Sequence, residues 1–161
     1  MPKKKKKEPP GFVEIMRKLT KSGLKGSPSP NRIISKLDEI ITLEERIEKI
    51  LGIIKNNNRP AENMIFFVMY DIEDDKVRTQ IFKYLLRMGC SRVQRSVFLA
   101  DLPNDKYDQI RKDLTEVQAA YDNNDSILVV PISTDYLTAM KIIGQTIDID
   151  VITGKKNTLF F

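Results

Sequence analysis

"FFVMYDIEDD" occupies residues 66–75. The five residues that open it are apolar or aromatic, and four of the five that close it are acidic. Extended back to Met64, the run reads as a central strand buried on both faces, because it is apolar without alternation. A buried strand that ends in a carboxylate leaves two readings open. In one, Asp71 ends the strand in water while Asp74 or Asp75 caps a helix. In the other, Asp71 holds a metal ion against a phosphate.

The elements that follow this strand set the fold class. Val77, Ile81, Leu85 and Met88 recur at helical steps from Asp74, and Gly89 closes the helix. "RVQRSVFLA" (92–100) alternates and reads as one strand, with Arg92 and Arg95 on opposite faces. "DLPND" turns the chain. Tyr107, Ile110, Leu114, Val117 and Tyr121 then mark a second helix, and "SILVVPI" (126–132) a further strand. "LTAMKIIG" (137–144) is undecided by period and is taken as the last strand of the core, while "IDIDVIT" (147–153) alternates as an additional C-terminal strand. The expectation over 63–161 is an α+β ferredoxin-like βαββαβ sandwich. Both helices lie on one side of its sheet. The other side is left bare, and a second copy is its simplest cover, so a homodimer is expected.

The part before this domain has a different character. Residues 1–30 hold nine basic and two acidic side chains and so carry more than the +5 of the whole 161-residue chain. They read as a basic flexible tail drawn to polyanions, with "GSPSPN" as a hinge. Residues 31–60 read as an amphipathic helical extension. Apolar residues at 33, 37, 40, 47, 51 and 54 form a stripe that must bury itself against the body or a partner. Asn31 is a candidate cap, and "TLEE" (42–45) has the pattern of a capping box.

Composition excludes several chemistries. The chain has no histidine and one cysteine, Cys90. Triads that use histidine as base and zinc sites are therefore excluded or strongly disfavoured, and any metal should be hard and oxygen-bound. Cys90 reads as a small buried apolar residue. No apolar run approaches the ~20 residues of a membrane span. The lysine-rich start lacks the apolar segment of about 7–15 residues that a secretory signal requires. A cytoplasmic location is expected.

"VMYDIEDDKVRTQIFKYLLRMGCSRVQRSVFLADL" (68–102) resembles the CRISPR-associated protein 2 family: a first strand ending in Tyr-Asp-Ile, an acidic turn, an arginine-bearing helix, a glycine, and an Arg-hydrophobic-Gln-x-Ser-Val-Phe strand. The resemblance covers roughly 64–145 and leaves the first 60 residues unexplained. It implies a ferredoxin-like homodimer that works as a CRISPR adaptation subunit, binds the protospacer DNA duplex and joins the CRISPR integrase subunit. It also implies a magnesium-dependent endonuclease, with manganese as a substitute and RNA as a further substrate. By position, Asp71 matches the metal-binding aspartate and Tyr70 the aromatic before it. Arg78 and Arg92 match the functional arginines, with Arg95 close by, and Ser96 and Phe98 match the Ser-Val-Phe signature. A further helix arginine of some members falls at Gln80. Two other functions fit the residues: a stand-alone metal-dependent endoribonuclease of toxin type, and a non-catalytic ferredoxin-like binding dimer.

Overall fold

The computed structural model describes residues 10–27 and 42–140. The elements run α1 (Phe12–Lys21), α2 (Leu43–Ile54), β1 (Asn63–Asp71), α3 (Asp75–Arg87), β2 (Ser91–Gln94), β3 (Val97–Pro103), α4 (Asn104–Ala119), β4 (Ser126–Pro131) and α5 (Thr134–Ala139). The four strands form one antiparallel sheet in the order β2-β3-β1-β4. From β1 to β4 the connectivity is βαββαβ, the ferredoxin-like fold expected from the sequence.

The four strands are not the four expected. Residues 92–100 are two strands of a hairpin joined at Arg95 and Ser96, with an irregularity between Arg92 and Gln94. The residues 137–144, taken as a strand, instead begin inside helix α5, whose N-cap Ser133 accepts a hydrogen bond from the Tyr136 amide. The alternating stretch 147–153 lies outside the described residues.

Each face of the sheet has its own cluster. Phe66, Val68, Tyr70, Phe98, Ala100 and Leu102 point to α3 and α4 and join Val77, Ile81, Leu85, Ile110 and Leu114. Ile65, Phe67 and Leu99 point the other way and meet Ile47, Ile50 and Leu51 of α2, Val93 of β2 and Leu137 of α5. The second face is therefore not bare: the stripe on α2 buries itself against the body of the protein. Its cover is incomplete at β4, where Leu128 and Val130 sit opposite Met69 and Phe67 and remain 57% and 40% exposed.

Two helix ends are well determined by the sequence. Thr42 and Glu45 form a reciprocal capping box at the start of α2. At the end of α3, the Gly89 and Cys90 amides donate to Leu86 and Leu85, a Schellman closure around a glycine with φ of 90°. Gly89 also admits Leu24: a Cβ there would stand 2.7 Å from Leu24 Cδ1.

The tail expected across residues 1–30 is helical at Phe12–Lys21. Ile15 and Leu19 are buried with Phe12 and Met16 beside them, packed on α3 and α4. Polar anchors fix the helix in place. Arg87 Nη1 donates to the carbonyls of Leu19 and Thr20, and the Arg87 carbonyl accepts from the Leu24 amide at 2.8 Å and Ser27 Oγ at 2.7 Å. Lys18 Nζ lies 3.1 Å from Asp113 Oδ1 and 2.8 Å from Glu116 Oε2, and Asp113 Oδ2 accepts from the buried Tyr84 hydroxyl at 2.7 Å. Asp113 is 2% exposed, so these two donors compensate a carboxylate that burial alone would disfavour. Burial, then the bond to Asp113, pushes the Tyr84 phenol far above its ordinary value.

Candidate nuclease and nucleic-acid site

β1 delivers Asp71 to the edge of the fold. Successive strand side chains point to opposite faces, so Tyr70 is buried toward α3 while Asp71 emerges exposed beside Ser126 of β4. Two of the other three acids of the run are occupied. Asp74 caps α3 and accepts from the Lys76 and Val77 amides at 2.8 and 2.9 Å. Asp75 pairs with Arg78 one turn on. Across the gap, Asp125 accepts from the Glu73 amide at 3.1 Å and from the Tyr121 hydroxyl. The Asp71 carboxylate has no side-chain partner among the described residues.

The other candidates gather at the same end of the sheet. The Tyr70 amide donates to the Ser96 carbonyl at 3.1 Å, which ties the β2–β3 turn to the end of β1. Arg78 reaches back from α3 to the Ile72 carbonyl at 3.2 Å while it holds Asp75. Phe98 is fully buried and stacks on Tyr70 with ring centroids 6.1 Å apart; Phe82 meets it edge-on. The Tyr70 hydroxyl is buried without a hydrogen-bond partner among the described residues. Burial pushes its pKa up to about 12, against the opposing charges of Arg92 and Arg78.

The two hairpin arginines divide. Arg92 is 5% exposed, with its guanidinium 4.9 Å from the Phe82 ring centroid and Nε and Nη2 donating to the Arg95 carbonyl at 3.2 and 2.8 Å. It builds the turn from inside. Arg95, at the turn itself, is exposed. The single strand expected to turn this pair to opposite faces is a hairpin, with Arg92 on β2 and Arg95 in the turn. On α3, Arg87 is buried under α1.

The residues at the Asp71 end suit one kind of metal. Among the described residues no three His, Cys, Asp or Glu side chains converge. A single exposed carboxylate fits magnesium, which takes one or two protein carboxylates and fills its shell with water and phosphate oxygens. It does not fit a cage of protein ligands for calcium or zinc.

Residues 64–140 match the family described as CRISPR associated protein Cas2. A CRISPR-associated endoribonuclease Cas2 from Archaeoglobus fulgidus is 33% identical over 84 residues, 52% of this chain and 86% of that protein. Another from Pyrobaculum aerophilum is 30% identical over 82 residues, 51% of this chain and 82% of that protein. One from Francisella tularensis subsp. novicida is 54% identical over 33 residues, 20% and 34% of the two chains. The chain belongs to the Cas2 family. The match begins inside β1 and ends at α5, so α1 and α2 lie outside it. Among the described residues no helix is long and apolar enough to cross a membrane.

The sequence reading missed Asp113, Tyr84 and Lys18, and also Arg59, whose Nε binds Asp101 at 2.7 Å and whose Nη2 binds the Asn63 carbonyl at 2.6 Å. Each joins residues at least four positions and up to 98 positions apart. No local pattern announces such pairs.

Proposed function

We propose that this chain is a cytoplasmic CRISPR adaptation subunit that works as a homodimer, binds duplex DNA and joins the CRISPR integrase, and that its Asp71 end cleaves phosphodiesters with magnesium or manganese. The observation that carries the cleavage reading is the unengaged Asp71. Every neighbouring aspartate of the turn holds an amide or a guanidinium, while Asp71 stands exposed at a strand end built by buried aromatics. The relatives' description as endoribonucleases supports phosphodiester chemistry and leaves RNA as a second substrate.

Asp71, with its counterpart from a second copy, would hold the ion. Magnesium bound there would polarise the phosphate and activate a water. The chain's own part is placement. The Tyr70–Phe98 stack fixes the strand end, and Arg92 fixes the turn that presents Arg95 to a backbone phosphate. Arg78 is tied to Asp75 and Ile72 and stiffens the loop that follows Asp71. With no histidine in the chain, the base is left to the bound water and the ion. The second copy would seat on the uncovered part of the sheet, where Leu128 and Val130 are exposed and the outer edge of β4 has no strand beside it among the described residues. The stretch 147–153 is the segment proposed to add to the partner's sheet.

Asp71→Asn tests this. It keeps the shape and removes the charge a hard cation needs. Magnesium-dependent cleavage of RNA or duplex DNA should fall below detection, while the dimer, about twice 18.6 kDa by light scattering, and duplex affinity stay within twofold of wild type. Equal cleavage by the variant would reject the metal assignment. Wild type that never cleaves but binds duplex leaves the scaffold role standing alone. Wild type that cleaves RNA without binding duplex DNA or the integrase would replace the adaptation role with the toxin-type one. A stable monomer would remove the second carboxylate.

A further inference from the structure

The outer face of α1 is a feature that the Asp71 site does not use. Its inner face is apolar: Phe12, Ile15, Met16 and Leu19. Its outer face carries Arg17 and Lys21, with Lys25 in the turn beyond, all exposed and without a partner among the described residues. Lys18 is engaged with Asp113 and Glu116. Glu14 is the one acid of the helix. Glu14, Arg17, Lys18, Lys21 and Ser22 line an open groove of about 420 Å³ along it.

The helix has a fixed place and direction. Its C-terminal end is tied to Arg87, at the far end of α3 from Asp71. Its N-terminal end meets Tyr121 through Phe12, with ring centroids 5.5 Å apart. Tyr121 binds Asp125, and Asp125 binds the Glu73 amide two residues from Asp71. The helix therefore runs along the α3–α4 layer with its N-terminal end on the Asp71 side, and Lys21 and Lys25 lie toward the opposite end.

We propose that Arg17, Lys21 and Lys25 form a docked binding surface for the phosphate backbone of duplex DNA. It rests on the reading above that the chain binds duplex, and adds a surface on the side of the sheet opposite α2. The warrant for nucleic acid over an acidic protein is the pattern. Arg17 and Lys21 stand one helical turn apart with Lys25 beyond them, all unpaired among the described residues, and the exposed large apolar side chain of the helix is Val13 near its start, which suits a polyanion rather than a packed interface.

The test measures duplex affinity of the full chain at several salt concentrations. Neutralising phosphates releases counterions, so losing three contacts should reduce the log–log salt slope by about 2.7. Between 50 and 200 mM salt, wild type should then lose roughly 40-fold more affinity than the triple variant Arg17→Gln, Lys21→Gln, Lys25→Gln. An unchanged slope overturns the surface while duplex binding stands; wild type with no salt-dependent duplex binding overturns both. A second variant, Ile15→Ser with Leu19→Ser, keeps every cation but releases the helix. It should bind at least threefold more weakly at 50 mM salt. Affinity equal to wild type there would mean that the cations act as a tethered cloud, and would overturn the docked surface.

Discussion

The two helices that precede the sheet do opposite things with the same kind of apolar stripe. α2 lies directly on β2, β3 and β1, and its Ile47, Ile50 and Leu51 complete one face of the central strand. α1 lies on α3 and α4, whose other sides already cover the sheet. Removing α2 exposes Ile65, Phe67 and Leu99 of the sheet core. Removing α1 exposes the back of a finished layer. The contrast separates a helix that the fold requires from one that it carries.

The largest expected effect follows from that contrast. Ile50→Asp places a carboxylate at a site 1% exposed and should cost well over 4 kcal/mol, enough to unfold a domain of this size. Leu19→Asp places the same charge at an equally buried site, yet the sheet domain should still melt cooperatively. Amide exchange should locate the difference. Leu19→Asp should lose protection over residues 10–27 and keep it in β1 and β3, because α1 can undock as a unit. If Leu19→Asp abolishes folding as Ile50→Asp does, the two helices are alike and α1 belongs to the core.

The joint between α1 and the domain gives the next effect. Gly89 has φ of 90°, and a Cβ would meet Leu24 Cδ1 at 2.7 Å. Gly89→Ala therefore combines backbone strain with displacement of the segment after α1, and should destabilise by about 1–3 kcal/mol. Gly89→Ala with Leu24→Ala should recover the packing part of that loss in urea titrations and leave the strain. A neutral Gly89→Ala would show that the segment carrying Leu24 is not held against this turn.

Much of this architecture was legible in the sequence where one segment carries its own signal. The run before Asp71 announced a buried strand, Asp74 its helix cap, and Thr42 with Glu45 the start of α2. The hairpin was hidden because "QRSV" has none of the Gly, Asn or Asp residues that mark tight turns, and because alternation of Val93, Val97 and Leu99 continues through it. The structure turns there without any positive φ at a residue other than glycine, and Arg92 supports the turn from inside. α1 was hidden by averaging: nine basic residues over 30 positions masked a ten-residue stripe. At the site, the sequence placed Asp71, Tyr70, Ser96 and Phe98 within one stretch of chain. That Arg92 is buried and Arg95 exposed depended on the turn, and so could not be read from parity in a single strand.

The smallest effect probes the polar side of the α1 contact. The hydrogen bond to Glu116, and then the bond and charge of Asp113 working against partial burial, raise the Lys18 pKa above its ordinary 10.5. A lysine raised on folding contributes stability that is whole below its unfolded pKa and is lost as pH rises through the folded one. The Lys18 side chain is 45% exposed, so solvent screens the pair and the contribution should stay near 1 kcal/mol, about 2–4 °C in melting temperature. Lys18→Gln keeps a donor and removes the charge. Its melting temperature should lie below that of wild type by a constant amount from about pH 6 to 9, and the gap should close above about pH 10.5. Buried Tyr70, with its pKa near 12, lowers alkaline stability in both proteins and cancels in the difference. A gap that persists undiminished to pH 12 would show that Lys18 acts through its hydrogen bonds and packed stem alone. A gap that vanishes in 1 M salt at neutral pH would show a pair already screened at the surface. α1 would then be held by Ile15, Leu19 and the Arg87 anchor, and the docked cationic face would survive at high salt with its polar clasp open.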